Sequence, residues 1–444
     1  MNKIESKEQL IEFIRSGEKK PNQFKIGTEH EKFAFDILNK KPIPYEGKNG
    51  IKELLSSLEE FGWQPIKEAD NVIALSRPNS LGGGSITLEP AGQFELSGAM
   101  LNDIHETLKE IQEHKDQLYK VAKKMDLSFL AIGFTPDWSR EDMHLMPKKR
   151  YEIMRKYMPK KGDHGLDMML RSCTTQVNLD YSSESDMIKK IRLSFLLQPI
   201  ATVLFSNSPI SDNKINGFKS IRSHSWTDTD PDRTGILPFI FKEDMSYESY
   251  VDYALNVPMY FIKREHNYID MTNYTFKDFF EGKCSDINYE VTLNDWEDHL
   301  TTIFPQVRLK QYLEIRSMDA CNWDLICSQP AFWVGILYND EILDKVKEIT
   351  QGWTKEDRQY LNQRVPEKGL KTKFKQRKLI DFAQEIYELS KKGLNKRNRL
   401  SKNGEFDESI HMKELETNLE KGCSPADCLI KKFDTSWNQS IEPI

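Results

Sequence analysis

The chain has 444 residues, 38% hydrophobic, 11% aromatic and 30% charged, enough to bury a large core without long disordered tracts. A net charge of -6 and a pI near 6.0 exclude a basic nucleic-acid binder, so any phosphate site has to be local or borrow its positive charge from metal ions. The cysteines at 173, 284, 321, 327, 423 and 428 form no CxxC pair and fit neither a zinc ribbon nor a disulfide framework.

The N-terminus, MNKIESKEQLIEFIRSGEKK, is charged and amphipathic. It lacks the apolar run of a signal peptide and the acid-free character of a transit peptide, which together with reduced thiols predicts a cytoplasmic protein. Apolar spacings of three and four predict helices near 6–17, 51–62, 100–125, 184–205, 323–338, 375–393 and 407–420. Alternation predicts strands near 24–37, 85–97, 172–181 and 309–317. The longest apolar run, Leu193 to Phe205, contains Gln198 and Pro199 and is too short for a bilayer, so it reads as a buried helix and no membrane partner is expected. Residues 206–238 are rich in Ser, Asn, Asp, Gly and Pro and read as a long functional loop. The organisation expected is one domain over 1–444. Its sheet-bearing part covers about 20–320, and a mainly helical part covers about 321–444.

Residues two apart on a strand share a face. In SITLEPAGQFELS that rule groups Ser85, Thr87, Glu89, Ala91, Gln93, Glu95 and Ser97 against Ile86, Leu88, Phe94 and Leu96, while Pro90 and Gly92 warn of a bulge. In RSCTTQVNLDY it groups Gln176 and Asn178 against Val177 and Leu179. In RLKQYLEIRS it groups Arg308, Lys310, Tyr312, Glu314 and Arg316 against Leu309, Leu313 and Ile315. KIGTEHEKFAF places Glu29 and Glu31 on one side, where Phe33 and Phe35 share their parity, so this strand is expected to run from the polar face into the core. Any one such strand is ordinarily a solvated outer face. Together they repeat oxygen donors, the ligands of hard cations such as Mg²⁺, and an arginine among carboxylates suits a nucleoside triphosphate. This reading gives a site for a nucleoside triphosphate such as ATP held with more than one Mg²⁺ ion.

Outside the strands, Arg222 in RSHSWTDTDPDRTG suits bidentate grip of a carboxylate, with Trp226 as a wall. His224 is read as structural. Arg150 opens a helical pattern as either a surface charge or an anion ligand. Gly82-Gly83-Gly84 fits neither a P-loop nor a dinucleotide fingerprint and reads as a turn.

GTEHEKFAF, ITLEPAGQFELSG, MLRSCTTQVNLDY, RSHSWTDTDPDRTG and YLEIRS resemble the motifs of the glutamate–cysteine ligase of plants and many proteobacteria, in that family's order, from about residue 20 to the end. The resemblance implies an α+β fold of the glutamine-synthetase-like type, a curved antiparallel sheet carrying metals and nucleotide, with packed helices. It implies ATP-dependent joining of L-glutamate and L-cysteine into γ-glutamylcysteine, the first step of glutathione biosynthesis. The implied metal ligands are Glu29, Glu31, Glu89, Gln93, Glu95, Gln176, Asn178 and Glu314. The implied substrate ligands are Arg150, Arg222, Trp226 and, at the cysteine, Tyr260. Glu314 and Arg316 take the catalytic roles, with Arg316 on the γ-phosphate. Plant members carry two disulfides. Leu108 and Met271 stand where the partners of Cys327 and Cys284 would be, so no plant-type redox switch is expected. The protein is expected as a monomer or weak homodimer without nucleic-acid partners. Two alternatives stay open: a ligase with another amine acceptor, and a non-catalytic nucleotide-binding relative.

Overall fold

The computed structural model describes residues 3–265 and 267–444. Its frame is a nine-stranded antiparallel sheet of β1 (Ile26–Asp36), β2 (Gln64–Glu68), β3 (Asn71–Ser76), β4 (Ser85–Leu88), β5 (Phe94–Ser97), β6 (Leu127–Leu130), β7 (Thr174–Leu179), β8 (Val307–Leu309) and β9 (Leu313–Asp319). The strand order is β8-β9-β7-β1-β5-β4-β3-β2. The first half of β1 lies between β7 and β5, and from Phe33 to Asp36 it pairs with β6 instead. That change of partner takes Phe33 out of the polar face and into the core beside Trp138, ring centroids 5.8 Å apart. The exposed edge is β2, whose Pro65 and Lys67 blunt it against further pairing.

Alternation buries the other face. Val177, Leu179, Leu313 and Ile315 are fully buried in one apolar cluster, and Ile86, Leu88, Phe94 and Leu96 in another. Seven helices frame the site region: α1 (Lys7–Arg15), α2 (Ile51–Leu58), α3 (Ile104–Met125), α4 (Lys149–Tyr157), α5 (Gly165–Arg171), α6 (Glu184–Leu204) and α7 (Ile221–Ser225). Helix α3 starts at Asp103, whose carboxylate accepts from the Glu106 amide, and stops at Asp126 in the left-handed region at φ 52°. Its stripe Ile104, Ile111, Leu118, Val121 and Met125 is buried. Helix α6 is capped by Ser183 and packs against β9; the run from Leu193 to Phe205 is buried except for the half-buried Leu196, as expected for an interior helix. Among the described residues no helix is long and apolar enough to cross a membrane.

Past Asp319 the chain is mainly helical, with α-helices at Ser328–Leu337, Asp340–Thr350, Lys355–Lys368, Leu379–Arg397, Lys413–Glu420 and Pro425–Asp434.

Three expected elements differ. The segment 85–97 is a hairpin, β4 and β5 joined through Gly92 at φ 79°. The segment 309–317 is the end of β8, a turn and most of β9. The helix expected from 375 starts at Leu379, because 373–374 and 377–378 pair as a short hairpin first.

Candidate active site

Register brings the oxygen donors of four strands onto one face. Glu31 lies opposite Glu95, Glu29 opposite Gln176 and Ser97, and Asn178 between Gly27 and Glu314. Gly27 is a glycine for a local reason: a β-carbon there would come within 3.1 Å of the Asn178 β-carbon, so its absence leaves the space that the Asn178 side chain fills. Asn178 Nδ2 donates to Glu29 at 2.6 Å, and the Thr174 amide donates to Glu31 at 2.9 Å. Ser97 Oγ donates to Glu95, and Arg316 donates to Gln176 and to Glu314.

The carboxylates fall into two electrostatic groups. Burial, then the charges of Glu89 and Glu95, pushes Glu31 well above the ordinary carboxylate range. Burial, then Glu29 and Glu89, raises Glu95 to about 8, and burial with Glu314 raises Glu29. Glu95 thus links the three by repulsion, to Glu29 on one side and Glu31 on the other, and Lys310, Arg308 and Arg222 offset the burial of Glu29 and Glu31 only in part. Glu314 is the opposite case. It is fully buried, yet Arg308, Lys310 and Arg316 outweigh the burial and hold it well below the usual range.

Beside this face lies a narrow cleft lined by Glu31, Glu89, Gln93, Arg150, Tyr151, Arg222, Trp226, Phe304 and Arg316, with Met154, Met168 and Met169. Arg222, on α7, is buried and donates through Nη2 to the Arg316 carbonyl at 3.0 Å. Arg222 Nε, Arg150 Nε and Trp226 Nε1 are buried donors with no partner among the described residues. A second, more open cavity is lined by Lys25, Gly27, Glu29, Gly84, Ser97, Asn178 and Tyr312. The carboxylate row therefore runs from one cavity to the other.

Several expected residues differ in placement or bonding. Tyr260 does not line the cleft: it is buried under the Arg233 guanidinium, 4.0 Å from its ring, with its hydroxyl on the Met158 sulfur at 3.5 Å. The Gln93 amide braces the hairpin turn, donating to the Met169 and Ser172 carbonyls at 3.2 and 3.1 Å and accepting from the Ala91 amide. Both oxygens of Glu314 are held by cations. His224 stacks on Phe218 and lies outside the cleft lining. Sequence reasoning places Arg308 on the Glu314 face but gives it no role, and it does not reach Asp319.

Among the described residues, no three His, Cys, Asp or Glu side chains close on a single ion. Mg²⁺ does not require such a cage, since it commonly takes one or two carboxylates and completes its shell with substrate phosphates and water. The all-oxygen donor set and the mutual repulsion of Glu29, Glu31 and Glu95 fit it.

A carboxylate-rich sheet face between two cavities, one walled by arginines, defines an enzyme site for anionic small molecules. The family model described as glutamate–cysteine ligase family 2 matches residues 25–444. The chloroplastic glutamate–cysteine ligase of Medicago truncatula is 50% identical over 441 residues, 99% of this chain and 84% of that one. Those of Oryza sativa (form B) and Arabidopsis thaliana are 48% identical over 99% of this chain and 86% and 82% of theirs. In fold, the chain is similar to the crystal structure of glutamate–cysteine ligase from Francisella tularensis in complex with AMP, with a TM-score of 0.56 at 13% identity, covering 94% of this chain and 86% of that one. The chain belongs to glutamate–cysteine ligase family 2 and is an enzyme of the ligase class.

The relatives correct one expectation. They are named chloroplastic, which points to the chloroplast instead of the cytoplasm. The cytoplasmic expectation leans on reduced thiols, and thiols are equally reduced in any reducing compartment.

Proposed function

We propose that the protein joins the γ-carboxylate of L-glutamate to the amine of L-cysteine with ATP, through a γ-glutamyl phosphate, to give γ-glutamylcysteine. The observation that carries this reading is the set of unpartnered buried donors, Arg150 Nε, Arg222 Nε and Trp226 Nε1, around one cleft beside the carboxylate row. Buried N–H groups without partners cost about 1–3 kcal/mol each, and a bound amino-acid carboxylate removes that cost.

In this proposal Arg222 and Arg150 hold glutamate with Trp226 against it, and its γ-carboxylate points along the row towards Arg316. The second cavity takes the base and sugar of ATP. Glu29, Glu31, Glu89, Glu95, Gln176 and Asn178 would hold Mg²⁺; Gln93 and Glu314 join them only if their present bonds yield. Bound Mg²⁺ supplies neutralisation of the phosphate oxygens. Arg316, held by Gln176 and Glu314, stabilises the phosphoryl group as it moves to the γ-carboxylate. The cysteine amine then attacks the acyl carbon and phosphate leaves. No protein nucleophile is needed; Cys173 is buried, and burial pushes its thiol well above the ordinary range.

The test is the product formed from glutamate, cysteine, ATP and Mg²⁺. The proposal expects a dipeptide of the two amino acids less one water, linked through the γ-carbonyl, with one phosphate released per molecule. An α-linked product, or ATP hydrolysis without coupling, contradicts it.

A further inference from the structure

Arg222 needs a fixed position to serve the cleft, but its own bonds are few: one to the Arg316 carbonyl, and none at Nε among the described residues. The short helix that carries it follows the segment from 206 to 220, which holds a small hairpin of Ile210–Ser211 with Lys214–Ile215. The two ends of that segment are bridged to each other at Ser208 and Ser220 and the second end is held on the Pro366 carbonyl, and one buried carboxylate bonds to both ends at once. Asp319 ends β9, three residues past Arg316, and is 1% exposed. Its Oδ2 accepts from the Asn207 amide at 2.8 Å and from Ser208 Oγ at 2.7 Å, and its Oδ1 accepts from Ser220 Oγ at 2.8 Å. Ser220 is the N-cap of α7, taking the Ser223 amide at 3.0 Å, and Ser208 Oγ takes the Arg222 amide at 3.4 Å. Asp319 Oδ1 is also 3.9 Å from Arg222 Nη1. The surroundings are shaped for this carboxylate: a β-carbon on Gly133 would lie 2.5 Å from Asp319 Cγ.

We infer that Asp319 is a positioning residue, a buried anion that locks both ends of the 206–220 segment to the Arg316 strand and so aims Arg222 into the cleft. One carboxylate does two things here. It satisfies three donors on the segment, and its charge lies 3.9 Å from Arg222 Nη1 as the counter-charge of the guanidinium. An asparagine in its place keeps the shape but carries one donor side. The amide NH₂ cannot face the Asn207 N–H, so it turns to Ser220 Oγ, which already accepts from the Ser223 amide. The Ser220 proton then loses its acceptor, and Arg222 loses its counter-charge.

This inference rests on the proposed binding of a carboxylate substrate by Arg222. The experiment is a double-mutant cycle on the full chain, with Asp319→Asn, Arg222→Ala and both together, measuring glutamate KM, ATP KM, kcat and thermal midpoint. Loss of a charge-assisted contact predicts that Asp319→Asn raises the glutamate KM roughly 10-fold or more, with ATP KM and kcat within about threefold. In the Arg222→Ala background the same change adds less than about twofold, because the group that Asp319 aims is gone. Ser220→Ala, which removes one donor and keeps the charge, gives a smaller rise in glutamate KM and covers the case in which Asp319→Asn does not fold. If Arg222→Ala raises the glutamate KM but Asp319→Asn and Ser220→Ala do not, Asp319 has no positioning role. It equally has none if the two effects multiply independently, or if all three kinetic parameters change only in step with the folded fraction. If Arg222→Ala leaves the glutamate KM unchanged, the carboxylate-binding reading itself fails.

Discussion

Arg308 grips Glu314 across the β8–β9 hairpin, with Nη2 at 2.6 and 2.9 Å from its two oxygens and Nε at 3.1 Å from one of them. Glu314 is fully buried, with Lys310 at 3.1 Å and Arg316 also on the carboxylate. Arg308 is thus the anchor of the chain Arg308–Glu314–Arg316, whose last member lines the cleft and also bonds Gln176.

Arg308→Ala leaves Glu314 buried with two remaining cations. Removing one partner of a buried pair costs about 3–5 kcal/mol, and Lys310 and Arg316 place this case at the lower end. Urea unfolding of the variant should show a midpoint shift of that size. A change below about 1 kcal/mol would mean that the pair is not buried as described. Glu314→Gln keeps the volume but frees Arg316, so turnover should fall at least 10-fold with glutamate KM little changed.

Arg222→Ala should raise the glutamate KM on the order of 10- to 100-fold, the worth of a charge-assisted contact to a carboxylate. The ATP KM should move far less, since Arg222 lines the cleft and not the second cavity. Equal changes in both would show that the two cavities are not separate subsites.

Above about pH 8, where the Glu95 carboxyl is ionised, Glu95→Gln removes one of the mutually repelling buried carboxylates. In metal-free protein the variant should melt about 1–2 °C above the parent, since each relieved like-charge contact is worth on the order of 1 kcal/mol. With Mg²⁺ and ATP the order should reverse, because the parent gains binding energy that the variant lacks. Scanning calorimetry in both conditions reads the crossover; the same order in both would separate Glu95 from the metal.

Buried histidines set the acid limb of stability. Burial pushes His299 down to about 3, and its Nε2 lies 2.8 Å from the Ala254 carbonyl. Its folded value lies below the unfolded one of about 6.5, so the stability is present above pH 6.5 and is lost as pH falls from there towards 3. The slope is about 1.4 kcal/mol per pH unit for this one proton. His299→Gln should flatten the urea midpoint between pH 7 and 5 by that slope, and an unchanged profile would place His299 in water.

The cleft-facing set is readable in the sequence because parity survives a hairpin when the register pairs odd with odd. Alternation alone makes Glu89 to Glu95 one strand. It is two, yet Thr87 lies opposite Glu95 and Ser85 opposite Ser97, so the grouped residues still share a face. The same holds for Arg308 opposite Glu314. Arg222 and Trp226 stand out as rare types in a polar loop, although nothing there shows the helical turn that carries them. Tyr260, carried over from the family resemblance, lies outside the cleft lining, and a buried tyrosine looks the same in sequence whether it faces a pocket or an arginine behind it. The strands at 64–76 escape detection because β2 is an exposed edge with no alternation. Asp319 is invisible for another reason: its partners at 207, 208 and 220 are distant in sequence, and only the fold gathers them.

The central claim is tested most directly by phosphate release from ATP, in Mg²⁺ and glutamate, as the amine acceptor is varied. The proposed reaction predicts little release without an acceptor and a maximum with cysteine. Release independent of any amino acid, or a maximum with a different acceptor, would contradict it.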